Sequence, residues 1–144
     1  MDENSAMVTP DPLPEELLQE AARVTIDLDL PENWLNNGPS REPGGLFQLC
    51  LPDGLGQRAL RKDYGEKLSV YFIGRSVQIH FKLFAAVDSG PGRHVADLQE
   101  LKPTSEEMEQ ASRWAMQHDP SEGFRMVLLS MLKEMDFSDV AERL

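Results

Sequence analysis

With one cysteine in 144 residues, the chain has no means of forming an internal disulfide, so packing rather than cross-linking holds it together. Cys50 lies in an apolar run where a small hydrophobe serves equally well, and such cysteine usage predicts a reducing, cytoplasmic home. No apolar run approaches the roughly 18 residues needed to span a bilayer. The acidic opening MDENSAM has no apolar segment behind it, which predicts that there is no secretory signal peptide and no membrane partner. Basic charge is also short: 14 Lys and Arg against 25 Asp and Glu leave a formal net charge of −11. That balance repels phosphate backbones and argues against general nucleic-acid binding, although a local basic site is compatible with it. His80, His94 and His118 are scattered and have no zinc-ligand spacing. Gly54-Leu55-Gly56 lacks the third glycine of a dinucleotide fingerprint, and no serine stands in a Gly-x-Ser-x-Gly elbow.

What is present suits one domain with a sizeable core, since 40% of the residues are hydrophobic and the length leaves no room for two independent domains. After a proline-rich opening (Pro10, Pro12, Pro14), Leu17, Leu18, Ala21, Val24, Thr25 and Leu28 recur at helical spacing, and Pro31 stops the run. Asp27-Leu28-Asp29 then reads as the solvated end of a helix rather than a metal pair. Trp34 and Leu35 anchor a turn-rich stretch through Gly45. Leu46–Leu51 and Leu68–Ile73 read as buried strands, and Arg58–Asp63 between them as either a third strand or a short helix. Further on, His94–Leu101 predicts a short helix. Thr104 with Glu107 predicts a capping box opening a helix to about Gln117. Ser121 caps another, whose Phe124, Val127, Leu128, Met131, Leu132 and Met135 form an apolar stripe. A last turn or short helix runs from Ser138. One helix, a few strands and then a run of helices predict an α+β fold with a small mixed sheet, flanking helices and a helical C-terminal half.

The richest stretch is Arg75–Leu101. If residues 76–88 are helical, Val77, Phe81 and Phe84 share one face while Ile79, Leu83 and Val87 cover much of the rest. The remaining stripe is Gln78, Lys82, Ala85 and Ala86. An unpaired ammonium is costly to bury, so Lys82 either snorkels to solvent along its methylenes or reaches a group lying in front of the helix. Arg93, His94 and Asp97 follow. An arginine and a lysine facing one pocket would suit a phosphate or carboxylate, whereas Asp97, four residues after Arg93, could simply pair with it on the helix surface. Arg58, Arg61, Lys62 and Lys67 form a second basic group, read as either a binding site or a solvated strand edge.

The ordered segments LPENWLNNGPS (Leu30–Ser40), YFIGRSVQIHFKLFAAVD (Tyr71–Asp88), GPGRHVADL (Gly90–Leu98) and SRWAMQHDPSEGF (Ser112–Phe124) resemble a bacterial nucleotidyltransferase-fold family of unknown function, related to AbiEii and minimal nucleotidyltransferases. That resemblance implies a mixed sheet flanked by helices, a nucleotide substrate and carboxylate-bound Mg²⁺; some members of the wider superfamily act as toxins paired with antitoxins. By position, Lys82 matches the lysine of the family's apolar helix, while Arg93 and Asp97 match its R/K-x-x-x-D-L segment. Lys82 and Asp97 are then the expected catalytic pair, Lys82 and Arg93 the nucleotide contacts, and Asp2 the metal ligand. Two departures stand out: the family's early helix and glycine turn would precede Met1, which implies an N-terminally truncated domain, and the second metal carboxylate is replaced by Asn4. One carboxylate and an amide hold Mg²⁺ weakly. Three functions follow as expectations: a degenerate nucleotidyltransferase with a residual phosphate pocket; a non-catalytic interaction module of a toxin–antitoxin type, covered by a protein partner or a second copy; or an unrelated enzyme using His80 or His94 as base.

Overall fold

The structure, a computed structural model, describes residues 12–36, 59–90 and 92–144. The expected strand at 46–51, together with Asp2, Asn4, Cys50 and Arg58, lies outside the described residues. The chain divides into two compact units, Met1–Cys50 and Leu51–Leu144.

In the first unit, α1 spans Glu15–Leu28. Its first turn carries Glu15 and Glu16, which complement the helix dipole, and it ends where Asp29 takes a left-handed conformation (φ 51°). As expected, Asp29 is a solvated helix terminus. The Trp34 anchor is also present: its indole N–H donates to Thr25 Oγ1 at 3.0 Å, and the Thr25 hydroxyl in turn donates to the Ala21 carbonyl at 2.9 Å. No residue of α1 is buried.

The second unit opens with an antiparallel hairpin, β1 (Leu60–Tyr64) and β2 (Leu68–Phe72), in register from Leu60 opposite Phe72 to Tyr64 opposite Leu68. Gly65 makes the turn at φ 71°, where a Cβ is disfavoured. The segment left open between strand and helix is therefore a strand. Among the described residues the sheet has these two antiparallel strands, so the fold is α+β and mostly helical, with six helices. β1 is exposed throughout, and β2, expected to be buried, is exposed apart from a half-buried Val70, because the helices that follow pack chiefly on one another.

Five helices complete the unit: α2 (Arg75–Ser89), α3 (Arg93–Glu100), α4 (Ser105–His118), α5 (Glu122–Glu134) and α6 (Ser138–Arg143). The capping box at Thr104 and Glu107 is fully formed, and Ser121 Oγ accepts from the Phe124 N–H. Nine of the fifteen residues of α2 are buried. Around it, Trp114 meets the edges of His80, Phe81 and Phe84 at ring-centroid distances of 5.6, 5.9 and 6.0 Å, and Phe84 packs on Phe124 at 5.3 Å. Leu98, Met108, Leu128, Leu132 and Val140 close the rest. Ala85 and Ala86, expected on the open stripe, are buried. Their small side chains are compatible with the close approach of neighbouring helices. In α5 the stripe holds at Phe124, Leu128, Met131 and Leu132, whereas Val127 is exposed and Met135 half-buried.

Arg75 ties three helices at one end. Its guanidinium donates to the Leu101 carbonyl (3.0 and 2.8 Å) and the Lys102 carbonyl (2.8 Å) just beyond α3, and it pairs with Glu107 in the first turn of α4. Helix-end carbonyls without intrahelical partners are thereby satisfied by a fixed positive charge.

Burial sets the expected stability differences. In urea unfolding followed by circular dichroism, Leu83→Ala should lose about 2–5 kcal/mol, Thr104→Ala about 1 kcal/mol, and Val127→Ala no more than about 0.5 kcal/mol. Equal losses for Leu83→Ala and Val127→Ala would contradict this arrangement of the core.

Candidate functional site

Lys82 leaves α2 from the one polar stripe that the core spares, alongside Gln78, and both are half-buried. Its partner comes from α3: Lys82 Nζ donates to Asp97 Oδ2 at 2.5 Å. The two side chains are 35% and 42% exposed, so the pair sits at the rim of the α2–α3 junction, where solvent screens it. Of the two readings of Lys82, the one that gives its ammonium a group in front of the helix is realised, and that group belongs to the protein itself. Asp97 therefore does not make the i, i+4 pair with Arg93 considered from the sequence. Its carboxylate is taken across the junction by Lys82, which leaves Arg93 exposed in the first turn of α3.

The four expected residues Lys82, Arg93, His94 and Asp97 thus share one neighbourhood. Gly92 caps α3 with no side-chain hydrogen bond, and the first turn carries Arg93 and His94 but no acid. The His94 ring is half-buried, and its Nδ1 has no hydrogen-bond partner. Desolvation first, then the positive charges of Lys82 and Arg93, push the His94 imidazole below its usual value, with Asp97 pulling the other way. The Lys82 hydrogen bond holds the Asp97 carboxyl below the ordinary carboxylate range, against a smaller effect of burial.

Other candidates fall elsewhere. His80 is buried in the helical core, where Nδ1 lies 2.7 Å from the Ser76 carbonyl and therefore carries the proton; the ring edge faces Trp114. Asp2, the expected metal ligand, lies outside the described residues. Among the described residues no three His, Cys, Asp or Glu side chains converge as a metal group. The second basic group behaves as a solvated strand surface: Arg61 bonds Asp63 at 2.9 Å and lies over the Tyr71 ring at 5.9 Å, and Lys62 lies over the Tyr64 ring at 5.9 Å. Arg75, which the sequence shows only as one more basic residue, is spent on carbonyls and on Glu107. Burial pushes the Glu107 carboxyl up, and the Arg75 guanidinium and the Thr104 N–H more than offset it, so it sits below its ordinary value.

The apolar face of the hairpin is a second surface that the sequence did not single out. Cross-strand partners share a face, which places Leu60, Lys62, Tyr64, Leu68, Val70 and Phe72 together and Arg61, Asp63, Ser69 and Tyr71 opposite. On the first face Leu60 is 68% and Phe72 48% exposed. Comparison with known proteins finds no matching family model, no similar curated protein and no similar solved structure.

The site makes a pH prediction with a definite sign. Both Asp97 and His94 titrate lower in the folded protein than in the unfolded chain, so each contributes stability at higher pH that is lost on acidification. The His94 share is complete above about pH 6.5 and the Asp97 share above about pH 4, and each is lost as pH falls through the lowered folded value. By NMR titration, Lys82→Met should raise both midpoints toward their ordinary values, because it removes a hydrogen bond from one group and a repelling charge from the other. Unchanged midpoints would show that Lys82 does not face them.

Proposed function

We propose that this chain is a non-catalytic interaction module that docks a protein through the apolar face of its β1–β2 hairpin, on a helical scaffold built around α2. The observation that carries this reading is the contrast within one unit. The helices close a core in which nine residues of α2 are buried, while Leu60, Tyr64, Leu68 and Phe72 of the neighbouring hairpin stay at least two-fifths exposed. An isolated two-stranded hairpin is marginally stable in water, and a contiguous exposed apolar face is the usual mark of an interaction surface. The chemistry at Lys82 agrees with this reading, since a lysine neutralised by Asp97 has less charge to offer a phosphate. The AbiEii-like sequence resemblance suggests a toxin–antitoxin setting for the partner.

A second reading keeps a residual nucleotide or phosphate site. What favours it is the first turn of α3, where free helix N–H groups, Arg93 and His94 lie together with Lys82 on the adjoining helix. In that reading Arg93 grips the phosphate, Lys82 exchanges Asp97 for it, and Mg²⁺ arrives with the nucleotide.

One pair of measurements separates the two. Photo-crosslinking residues placed at Leu60 and Phe72 should give protein adducts in cells that are absent when the same residue stands at Arg125 on α5, and calorimetric titration with each nucleoside triphosphate and Mg²⁺ should be silent. Saturable, metal-dependent binding that disappears in Lys82→Ala, with no hairpin adducts, would replace the first reading by the second.

A further inference from the structure

The hairpin has two outer edges, and they differ in charge. β1 reads Leu60-Arg61-Lys62-Asp63-Tyr64, whereas β2 reads Leu68-Ser69-Val70-Tyr71-Phe72 and carries no charge in five residues. Charged residues on an edge strand, lysine above all, oppose edge-to-edge pairing, and an uncharged, β-favouring, exposed edge invites it. Among the described residues the sheet has two strands, and none of these residues pairs with the outer edge of β2.

The sequence of β2 is complementary to itself. An antiparallel pairing of two β2 strands about a two-fold axis at Val70 sets Leu68 opposite the second copy's Phe72, Ser69 opposite its Tyr71 and Val70 opposite its Val70. Every apolar residue of one face then meets an apolar residue, and the two hydroxyl-bearing residues meet on the other. The same operation on β1 would set Lys62 against Lys62, which is repulsive. The charge distribution points the same way. A chain of net charge −11 resists meeting itself, yet β2 brings no charge to the junction, and β1 next to it carries two cations and one anion, with Arg61 and Asp63 already paired at 2.9 Å. Antiparallel pairing also suits the connectivity. Each β2 runs through Ile73 and Gly74 directly into α2, so the two helical portions leave from opposite ends of the shared sheet.

Resting on the reading of the hairpin as an interaction surface, we infer that its partner is a second copy of this chain, joined through β2 into a four-stranded antiparallel sheet β1-β2-β2-β1 with the two-fold axis at Val70. Such a contact is isologous and closes on itself. It is also small, five residues a side, so the dimer is a reversible one and its population depends on concentration.

The test uses the full chain with Cys50→Ser to leave no other thiol. Val70→Cys should form a disulfide-linked dimer under mild oxidation, because a residue on the axis faces its own copy at a separation that a disulfide spans. Leu68→Cys and Phe72→Cys should each stay largely monomeric alone and cross-link when mixed with one another. Sedimentation velocity should show a mass that rises with concentration toward twice the monomer, and Val70→Lys should abolish the rise while leaving the circular dichroism spectrum unchanged. A monomer at every concentration, with no preference for Val70→Cys or for the mixed pair, would overturn the inference. If the Leu60 and Phe72 photo-adducts then contain a different protein, or map to residues 46–51 of the same chain, self-pairing is wrong; the first result leaves the docking reading standing, and the second removes that as well.

Discussion

Burial of α2 around most of its circumference is the constraint from which the rest of the second unit follows. A helix with nine buried residues among fifteen cannot lie on a surface; it must be surrounded. α4 and α5 supply aromatic and aliphatic cover through Trp114, Phe124, Leu128 and Leu132, and α3 closes the side on which Lys82 stands. Once α3 lies there, the Lys82 ammonium needs a counter-charge at the rim, and Asp97 provides it. The chain must also turn twice within a few residues to bring α3 and α4 back against α2, and Arg75 holds those turns by taking the carbonyls of Leu101 and Lys102 together with Glu107.

This economy separates the unit into a part where most charged groups are paired and a part that stays open to solvent. In the helices, charged groups find each other: Glu109 accepts from both Arg113 and Arg143, which joins α4 to α6. The hairpin has no such closure. Its charged face is internally paired through Arg61, Asp63 and Ser69, and its other face is open and apolar except for Lys62, which lies over the Tyr64 ring. Burial is concentrated in the helices while the strands stay open to solvent, and the proposed docking role rests on that contrast.

Elements governed by local rules could be read from the sequence. The capping box at Thr104, the serine cap at Ser121, the stop before Pro31, the return of Trp34 onto α1 and the long apolar helix around Lys82 all depend on neighbours within a few residues, and each is present. Contacts set by tertiary placement could not be read. Asp97 stands four residues from Arg93 and fifteen from Lys82, so spacing favours the wrong cation; the crossing of α2 and α3 decides otherwise. Val127 belongs to a flawless helical stripe yet is exposed, because α5 lies at the edge of the bundle and offers the core fewer residues than its periodicity suggests. The short apolar run Leu68–Ile73 reads as buried because a run of that kind is equally consistent with a core strand and with an exposed one, and only the path of the helices distinguishes them. The roles of Lys82, Arg93 and Asp97 implied by the nucleotidyltransferase resemblance likewise need more than position: the three do come together, but as a lysine engaged by an aspartate with an arginine left over.

The most direct test of this division of labour is hydrogen–deuterium exchange of the full chain at rising protein concentration. The account predicts that amides of residues 68–72 exchange quickly in dilute solution and become protected as concentration rises, while those of 77–87 are protected throughout. Rapid exchange at 68–72 at every concentration, or protection that is already complete in dilute solution, would contradict it.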